Sequence, residues 1–366
     1  MKKKVLATLL ATAMSVSMLA GCGSDSAADN TTDAADTTAD AADTTADAAT
    51  ETTEETSGDE NADATADTAA ADKVYKIGIC QLLEHAALDA ATEGFEAALV
   101  EKLGEGNVTF DFQNAQGEQT NCATICTQFV ADDVDLILAN ATAPLQAAAA
   151  ATNTIPILGT SVTDFATALD ISDWTGKTGT NVSGTSDLAP LDEQEKMLKE
   201  LFPDVKKVGI LYCSAEANSV YQAQMFESYL DADGVAWEEF SAADSNEIQA
   251  IVTSAVESCD VLYLPTDNTM AANTETINNV AQPAGVPIIA GEEGICAGCG
   301  VATLSISYYD IGYTAGEMAY DILVNGADIT TMDVKYAPQV TKEYNEAICS
   351  ALGIEVPEDY VAIATE

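Results

Sequence analysis

The apolar positions of this chain fall into short runs separated by stretches with helical spacing. Ile77–Cys80 and Val208–Leu211 are continuous apolar runs, which are typical of strands buried on both faces of a parallel sheet. Between such runs, apolar residues such as Leu88, Ala91 and Phe95 recur at helical spacing and predict helices. Further strands are predicted at Val108–Phe112, Leu136–Ala139, Ile155–Leu158, Trp237–Phe240, Val261–Leu264 and Val286–Ala290. Strands that alternate with helices predict an α/β fold with helices on both faces of each sheet.

The same plan occurs twice along the chain. Lys76–Cys80 and Lys207–Leu211 both begin with Lys and carry Gly at the third position, and a polar loop and a helical pattern follow each of them. We therefore predict two doubly wound parallel-sheet lobes that are joined by a hinge and separated by a cleft. The first lobe is expected at 73–185, completed by about 306–330, and the second at 186–305, completed by about 331–366. The C-terminal segment is expected to cross between the lobes more than once.

The charge pattern limits what the chain can bind. The formal net charge is −47 at pH 7, and so acidic a surface repels phosphate backbones, which argues against nucleic acid as a partner. Every basic residue is Lys, so there is no bidentate guanidinium clamp for a carboxylate or a phosphate. An anionic group must instead be held by helix N-terminal amides, hydroxyls, side-chain amides or a Lys.

The N-terminal region reads as an export signal and a tether. Lys2–Lys4 precede the apolar run Val5–Leu19, and Leu19–Cys22 is similar to the lipobox of bacterial lipoproteins, which implies cleavage before Cys22 and lipidation of its sulfur. A single transmembrane anchor is the alternative, but the run is short for one. Residues 23–72 are rich in Asp, Ala and Thr and predict a disordered acidic linker. We expect a cell-surface protein, lipid-anchored to the outer face of the bacterial cytoplasmic membrane.

Polar residues follow the predicted strands in both lobes. In open parallel sheets, ligands bind outside the carboxyl ends of the strands. Such residues also cap the next helix, and for each single residue this structural role explains its position as well as ligand binding does. The loops carry several carboxylates and no Lys, which suits a ligand with a cationic group such as an α-ammonium. The candidates are Glu84, His85, Thr142, Ser161 and Asp164 in the first lobe and Asn218, Ser219, Asp267, Asn268 and Glu292 in the second.

Six segments make the chain recognisable. They are Gln81–Asp89, Gln113–Gly117, Glu216–Val220, Pro265–Thr269, Gly291–Glu293 and Tyr308–Tyr313. In these segments, and in their order, the chain resembles the tryptophan/tyrosine family of substrate-binding proteins of bacterial ABC transporters. The resemblance covers essentially all of residues 74–355. The chain departs from the family at Ala86, where Pro is frequent, and at Asp164–Phe165, where Asp-Pro is usual.

The resemblance implies a two-lobed fold of the periplasmic-binding-protein type I. It also implies capture of an amino acid, often an aromatic one, and its delivery to a membrane permease driven by a separate ATPase. We expect the protein to be a monomer. Thr142 and Ser161 would meet the carboxylate of the amino acid through hydroxyls and helix N-terminal amides. The head group would be held from the second lobe by Asp267 and Asn268, with Asn218 and Ser219 beside them.

Two other functions stay open at this stage. The same fold could serve adhesion or sensing at the cell surface without transport. Alternatively, the transport role holds and the cargo is a sugar or a non-aromatic amino acid. Phe165, Tyr212 and Tyr309 would suit the face of a sugar as well as an aromatic ring.

We predict no enzyme, no cofactor and no metal site. The chain contains neither Gly-x-Ser-x-Gly nor a glycine-rich phosphate loop, and His85 is its one histidine. A hydrolase with Asp164 and Asp267 as paired carboxylates would depend on the distance between them. Cys296 and Cys299 form a lone CxxC, which we interpret as buried or loop thiols, with a local disulfide as the alternative.

Overall fold

The structure is a computed structural model and describes residues 73–364; the predicted signal peptide, the lipidation site Cys22 and the acidic linker lie outside these residues. The strands are β1 Tyr75–Gln81, β2 Val108–Asn114, β3 Leu136–Asn140, β4 Ile157–Val162, β5 Val182–Ser186, β6 Lys207–Cys213, β7 Ala236–Ala242, β8 Val261–Leu264, β9 Ile288–Ala290, β10 Ala302–Ser305, β11 Lys335–Tyr336, β12 Thr341–Tyr344 and β13 Val361–Ala362.

The α-helices are α1 Ala86–Leu103, α2 Gln119–Ala131, α3 Thr142–Ala151, α4 Phe165–Ala168, α5 Leu191–Leu201, α6 Ala217–Asp233, α7 Ile248–Ser258, α8 Asn268–Ala271, α9 Thr274–Ala284, α10 Glu293–Cys299, α11 Tyr308–Leu323 and α12 Glu346–Leu352. Between residues 73 and 364, none of these helices has both the length and the apolar character needed to span a membrane.

The strands form two sheets, one in each lobe. The first sheet has the order β11-β5-β4-β3-β1-β2 and all its pairs are parallel. The second sheet has the order β13-β12-β10-β9-β8-β6-β7 and is parallel except for the antiparallel pair β10 and β12. In each lobe the order reverses beside the first strand, β1 or β6, as in doubly wound folds. The predicted α/β fold with two parallel-sheet lobes is confirmed.

Within residues 73–364, the chain passes between the two lobes at three places. Residues 187–190 lead from β5 to α5, residues 306–307 lead from β10 to α11, and residues 337–340 lead from β11 to β12. Because α11 packs on α1 and on β4, it belongs to the first lobe. The C-terminal part therefore crosses more than once, as expected. The last crossing lies later than the predicted boundary at residue 331, because β11 pairs with β5 of the first sheet.

The contact between α1 and α11 closes the first lobe on one face and depends on small residues. A Cβ atom at Gly312 would overlap the carbonyl oxygen of Ala91, and one at Gly94 would overlap the carbonyl oxygen of Tyr309. The two helix backbones therefore approach more closely than side chains would allow. This contact holds the start of α1, and with it one wall of the cleft, in place.

One strand, β5, is absent from the sequence prediction. Its residues Val182–Ser186 are all buried, although the segment contains a single large apolar side chain. The hydroxyl of Thr185 donates a hydrogen bond to Thr160 Oγ1 of β4 at 3.0 Å, so polar groups inside the sheet satisfy one another. Gly184 lies directly against the backbone of Gly159, which only a residue without a side chain permits. An apolar pattern cannot detect such a strand.

The cysteines between residues 73 and 364 are all free and buried. Cys296 and Cys299 lie on α10 and face the core of the second lobe, so the interpretation as buried thiols is confirmed and the alternative of a local disulfide is not. Cys122 and Cys126 share one face of α2 and pack in the core of the first lobe with Cys80. These thiols fill the core as small apolar groups.

Candidate functional site

An outer and an inner cavity lie between the lobes, where the carboxyl ends of the strands meet. The outer cavity has a volume of about 520 Å³ and is bordered by loops after β1, β2 and β3 of the first lobe and after β6, β7 and β8 of the second. The inner cavity has about 10 Å³, which is the room of about one water molecule. Asn218 and Asn268 line both cavities. The outer volume lies within the usual range for small-molecule sites, whereas the inner one must expand to hold an organic group.

The two lobes touch each other directly across the cleft. His85 Nε2, from the first lobe, lies 3.1 Å from Asn268 Oδ1 of the second. Gln222 Nε2 on α6 donates a hydrogen bond to Thr163 Oγ1 of the first lobe at 3.2 Å. Each of these bonds would break if the lobes separated. The structure is therefore a closed arrangement of the lobes.

The first lobe presents two buried hydroxyls to the cleft. Thr142 Oγ1 at the start of α3 and Ser161 Oγ at the end of β4 are buried and have no hydrogen-bond partner among the residues from 73 to 364. Leaving a buried hydroxyl unpaired costs free energy, so such groups call for a partner. Ala141 and Ser161 also have left-handed backbones, with φ of 104° and 54°. Strained backbone of this kind, at about 1–3 kcal/mol per residue, clusters at ligand sites.

Asp187 is a further polar residue of the cleft, and the sequence prediction missed it. It follows β5 in the first crossing between the lobes, and it lines the inner cavity with 4 % of its surface exposed. Its Oδ2 accepts a hydrogen bond from the Tyr308 hydroxyl at 3.0 Å, whereas its Oδ1 has no partner in the part of the chain that the structure describes. Burial raises the pKa of Asp187 to about 6, although the hydrogen bond from Tyr308 opposes this. A cation beside Oδ1 would stabilise the charged form.

Asp267 and Glu292 line the inner cavity from the second lobe, and both also cap a helix. Asp267 Oδ1 accepts from the amide of Met270 at 2.8 Å, and its Oδ2 accepts from the amide of Cys213 at 2.6 Å. Glu292 accepts from the amides of Gly294, at 2.6 Å, and Ile295 at the start of α10. Both residues therefore cap a helix, which is the structural role that polar residues after strands can have. The capping hydrogen bonds hold both carboxylates at the edge of the cavity.

The charged side chains around the inner cavity are carboxylates. Burial raises the pKa of Glu292 to about 7, and burial together with the charge of Glu216 raises the pKa of Asp267. His85, also on this cavity, has its pKa lowered by burial, which Asn268, Glu216 and Asp89 oppose. None of the residues lining the cavity is Lys. Within residues 73–364, no three His, Cys, Asp or Glu side chains are arranged to hold a metal ion. The lining suits an organic cation.

Glu216 connects Asn218, in the first turn of α6, to Asn268, at the start of α8. Its Oε2 accepts from the Nδ2 groups of Asn268, at 2.6 Å, and Asn218, at 3.1 Å. Its Oε1 accepts from the amide of Thr269 at 2.8 Å and from the hydroxyl of Thr269 at 2.7 Å. The NH₂ groups of both asparagines therefore point to their own lobe. Glu216 was not among the predicted site residues, although it stands in one of the recognised segments.

The other predicted residues occupy different positions. Glu84 is exposed and lines neither cavity, because its side chain points to solvent in the bend before α1. Ser219 is fully buried and accepts from Asn218 Nδ2 at 3.2 Å, so it supports that side chain from behind. Asp164 caps α4 through the amide of Thr167 at 2.7 Å, and it borders a narrow recess with Thr142 and Asn218. Glu84 and Ser219 are thus not brought to the cavities.

The aromatic candidates do not face the cavities either. Phe165 is 2 % exposed and packs in the core of the first lobe, and Tyr212 packs in the core of the second with its hydroxyl 2.9 Å from Glu239 Oε1. Tyr309 is exposed on α11 and lines neither cavity. Tyr308 is the aromatic residue of the inner cavity, and its hydroxyl is engaged by Asp187. The rings expected to face a sugar or an aromatic ligand therefore lie elsewhere.

Comparisons with known proteins agree with this geometry. The family model described as ABC transporter substrate binding protein matches residues 76–366. A tyrosine-binding protein of Clostridioides difficile (strain R20291) is 35% identical over 337 residues, which cover 90% of this chain and 88% of that protein. A crystal structure of an ABC domain from Streptococcus pneumoniae in complex with L-Trp has 33% identity and a TM-score of 0.75, covering 78% of this chain and 97% of that one.

A third relative has an open structure. It is a ligand-free substrate-binding protein with adhesive properties from Clostridium difficile, with 38% identity and a TM-score of 0.63 over 80% of this chain and all of that one. Its identity exceeds that of the L-Trp complex, yet its TM-score is lower. The lobe arrangement seen here therefore differs from that open form, as the hydrogen bonds across the cleft indicate.

Proposed function

The chain belongs to the family of ABC transporter substrate-binding proteins, and we propose that it captures an aromatic amino acid between its two lobes for import. The carrying observation is a set of three buried polar atoms without partners in residues 73–364, at the cleft face of the first lobe: Thr142 Oγ1, Ser161 Oγ and Asp187 Oδ1. The two hydroxyls can donate hydrogen bonds to the carboxylate of an amino acid. The free oxygen of Asp187 can accept a hydrogen bond from its ammonium group.

The hydroxyls serve the ligand carboxylate. Thr142 stands at the start of α3, where helix amides lack intrahelical partners and favour an anion. Ser161, at the end of the neighbouring strand β4, supplies a second hydroxyl. The chain has no Arg, and hydroxyls with helix amides are the anion-binding groups this face offers.

Asp187 serves the ammonium. Its free Oδ1 accepts one ammonium hydrogen, while Tyr308 holds the other oxygen in place. Asp267 and Glu292 are already engaged with backbone amides on the opposite side of the inner cavity, and a nearby ammonium would favour their charged forms. Because the inner cavity has only about 10 Å³, the head group enters through an open form and the lobes close around it.

The side chain of the ligand occupies the outer cavity. Its volume of about 520 Å³ accommodates a ring, and Leu82, Leu83 and Ala143 provide apolar walls. Tyrosine and tryptophan, the amino acids named for two of the relatives, are the favoured cargoes. Polar groups such as Gln146 in the same wall suit the hydroxyl of tyrosine or the indole N–H of tryptophan.

The transport setting is part of the same proposal. The Lys-rich start, the short apolar run and Cys22 support an exported lipoprotein, which works as a monomer at the outer face of the cytoplasmic membrane. The partners are then an ABC permease and its separate ATPase. Uptake of labelled amino acid in cells with and without the gene tests this part, and Cys22→Ser tests the anchor by releasing the protein into the medium.

Calorimetric titration tests the binding proposal. The mature chain with Cys22→Ser is titrated with each of the common amino acids and with glucose, galactose and ribose. We expect saturable binding of tyrosine or tryptophan, and at least tenfold weaker binding after Thr142→Val, since one charge-assisted hydrogen bond is worth about 1.5–3 kcal/mol. Thr127→Val, on the exposed face of α2, is the matched control. Binding of a sugar alone, or no binding of any amino acid, contradicts the proposal.

Adhesion is a second candidate function, favoured by one observation. The relative of 38% identity is a substrate-binding protein with adhesive properties. Binding of the purified protein to epithelial cell surfaces, measured with and without saturating amino acid, tests this role. If the amino acid does not change adhesion, the adhesive surface is separate from the cleft. If the protein binds the cells no more strongly than an unrelated lipoprotein does, an adhesive role toward those cells is excluded.

A further inference from the structure

We propose that Glu216 is a positioning residue for a latch between the lobes, in which Asn268 of the second lobe binds His85 of the first. The latch goes beyond the proposed function because it concerns the closed form without ligand and holds for any cargo. Such a contact would set how much of the ligand-free protein is closed.

Glu216 fixes the orientation of the Asn268 side-chain amide. Its Nδ2 donates to Glu216 Oε2 at 2.6 Å, and its Oδ1 lies 3.1 Å from His85 Nε2. A carboxylate only accepts hydrogen bonds, so it selects the NH₂ end of the amide. Because the amide group is planar, fixing Nδ2 on Glu216 directs Oδ1 across the cleft. Glu216 therefore determines what Asn268 offers to the first lobe.

Glu216 is itself held in place by several hydrogen bonds. Besides Asn268 Nδ2, it accepts from the amide of Asn268 at 3.1 Å and from the amide and the hydroxyl of Thr269 at 2.8 Å and 2.7 Å. These donors belong to the first turn of α8, so the carboxylate is bound to a helix terminus and to the side chain it orients. A side chain held by this many bonds has little freedom to adopt another rotamer.

His85 is the donor of the hydrogen bond in the latch. Since Asn268 Oδ1 can only accept, His85 Nε2 carries the proton of the bond. The charged groups near the ring are Asp89, on its own helix, and Glu216, on the other lobe. Both His85 and Asn268 line the inner cavity while it has the room of about one water molecule. The latched form is thus closed over the proposed head-group site.

His85 is the one histidine of the chain, so a single imidazole signal reports on the latch in a nuclear magnetic resonance titration of the mature chain with Cys22→Ser. In the wild-type protein we expect His85 to titrate below the ordinary histidine value, because the ring is buried in the latched form. Glu216→Gln should raise the pKa of His85 toward that value, and the radius of gyration from X-ray scattering should increase. Glu257→Gln, on the exposed part of α7, should change neither.

The direction of the change separates the two interpretations of Glu216. Loss of a nearby negative charge without opening would lower the pKa of His85 further, because Glu216 raises it in the closed form. A lower pKa in Glu216→Gln, or an ordinary titration of His85 in the wild-type protein, therefore overturns the proposal. If Glu216→Gln does not fold, Asn268→Ala replaces it, since Glu216 then keeps its bonds to Thr269.

A double-mutant comparison completes the test. His85→Ala and Glu216→Gln should increase the radius of gyration to the same extent, and the double variant should show no further increase, because both remove one contact. If the increases in the radius of gyration were additive in the double variant, Glu216 would not act through His85, and the proposal would be wrong. All these measurements use the ligand-free protein, so they decide the latch even if no amino acid binds and the proposed function fails.

Discussion

The hydroxyl of Tyr308 donates a hydrogen bond of 3.0 Å to Asp187 Oδ2, and this bond links one segment that crosses between the lobes to the helix that follows another. Asp187 lies in the first crossing, and Tyr308 begins α11 directly after the second. The bond fixes the Asp187 carboxylate at the base of the cleft and leaves its Oδ1 unpaired within residues 73–364. The free oxygen of this carboxylate can accept a hydrogen bond from a cation. Its position depends on the segments that connect the lobes.

Asp187→Asn should weaken binding of the amino acid about 10- to 150-fold, because a hydrogen bond between charged groups is worth about 1.5–3 kcal/mol. The ligand-free protein should unfold at an equal or higher temperature, since a buried carboxylate is replaced by a neutral group of the same shape. Calorimetric titration and thermal unfolding measure the two effects. Asp173→Asn, at an exposed aspartate, is the control. Unchanged affinity in Asp187→Asn would remove this residue from the site.

Asp267→Ala should act mainly on stability. The carboxylate caps α8 through Met270 and also satisfies the buried amide of Cys213. Loss of a helix cap costs about 0.5–2 kcal/mol and an unpaired buried donor about 1–3 kcal/mol, so together we expect a loss of about 2–4 kcal/mol. Denaturant unfolding measures this. Asp244→Ala removes an exposed capping carboxylate of the same lobe, through Asn246, and should cost less than half as much.

The sequence predicted the parts of the fold that an apolar pattern encodes. Runs such as Ile77–Cys80 and Val261–Leu264 are strands because both faces of a parallel sheet are covered by helices. The polar residues of the cleft could also be predicted, because they follow the carboxyl ends of strands. The ends of β4 and β8 place Ser161 and Asp267 at the same cavity. Strand β5 and its neighbour Asp187 were missed because polar residues within this strand are buried through contacts distant in sequence.

Side-chain direction accounts for the remaining differences. Glu84 and Ser219 stand in loops or first turns that border the cleft, yet one points to solvent and the other to the core. Phe165 follows a cleft strand and fills the space beside Gly159 and Leu145. These directions depend on the packing of neighbouring elements, which residue types and spacing do not specify. The role of Glu216 likewise depends on α8, which follows it at a distance along the chain.

Gly312→Ala should destabilise the first lobe. The added methyl group would overlap the carbonyl oxygen of Ala91 where α11 crosses α1, and backbone atoms cannot move aside without separating the helices. Overpacking of this kind costs about 1–3 kcal/mol. Gly106→Ala is the matched control, because no atom lies within 4 Å of the added Cβ there. Equal unfolding midpoints of the two variants would show that the helices separate easily.

The pH dependence of the ligand-free protein should follow the buried carboxyls of the inner cavity. The pKa values of Asp187 and Glu292, about 6 and 7 in the folded protein, lie above the usual values of about 3.9 and 4.3 in an unfolded chain. The folded state therefore binds more protons between these limits. The stabilising contribution is full below about pH 4 and is lost as pH rises through 6 and 7. For Asp187 alone it amounts to about 3 kcal/mol.

Thermal unfolding measured from pH 4 to pH 8 tests whether stability falls as pH rises. In Asp187→Asn, the unfolding temperature should change less between pH 4 and 6 than in the wild-type protein. The comparison with this variant removes the contribution of the remaining acidic surface, which both proteins share.

Ligand should reverse the trend, because an ammonium beside Asp187 lowers its pKa and releases the proton. Calorimetric titration at pH 6 in buffers of different ionisation enthalpy should therefore show proton release in the wild-type protein and less in Asp187→Asn. Equal proton release in both would place the ammonium away from Asp187.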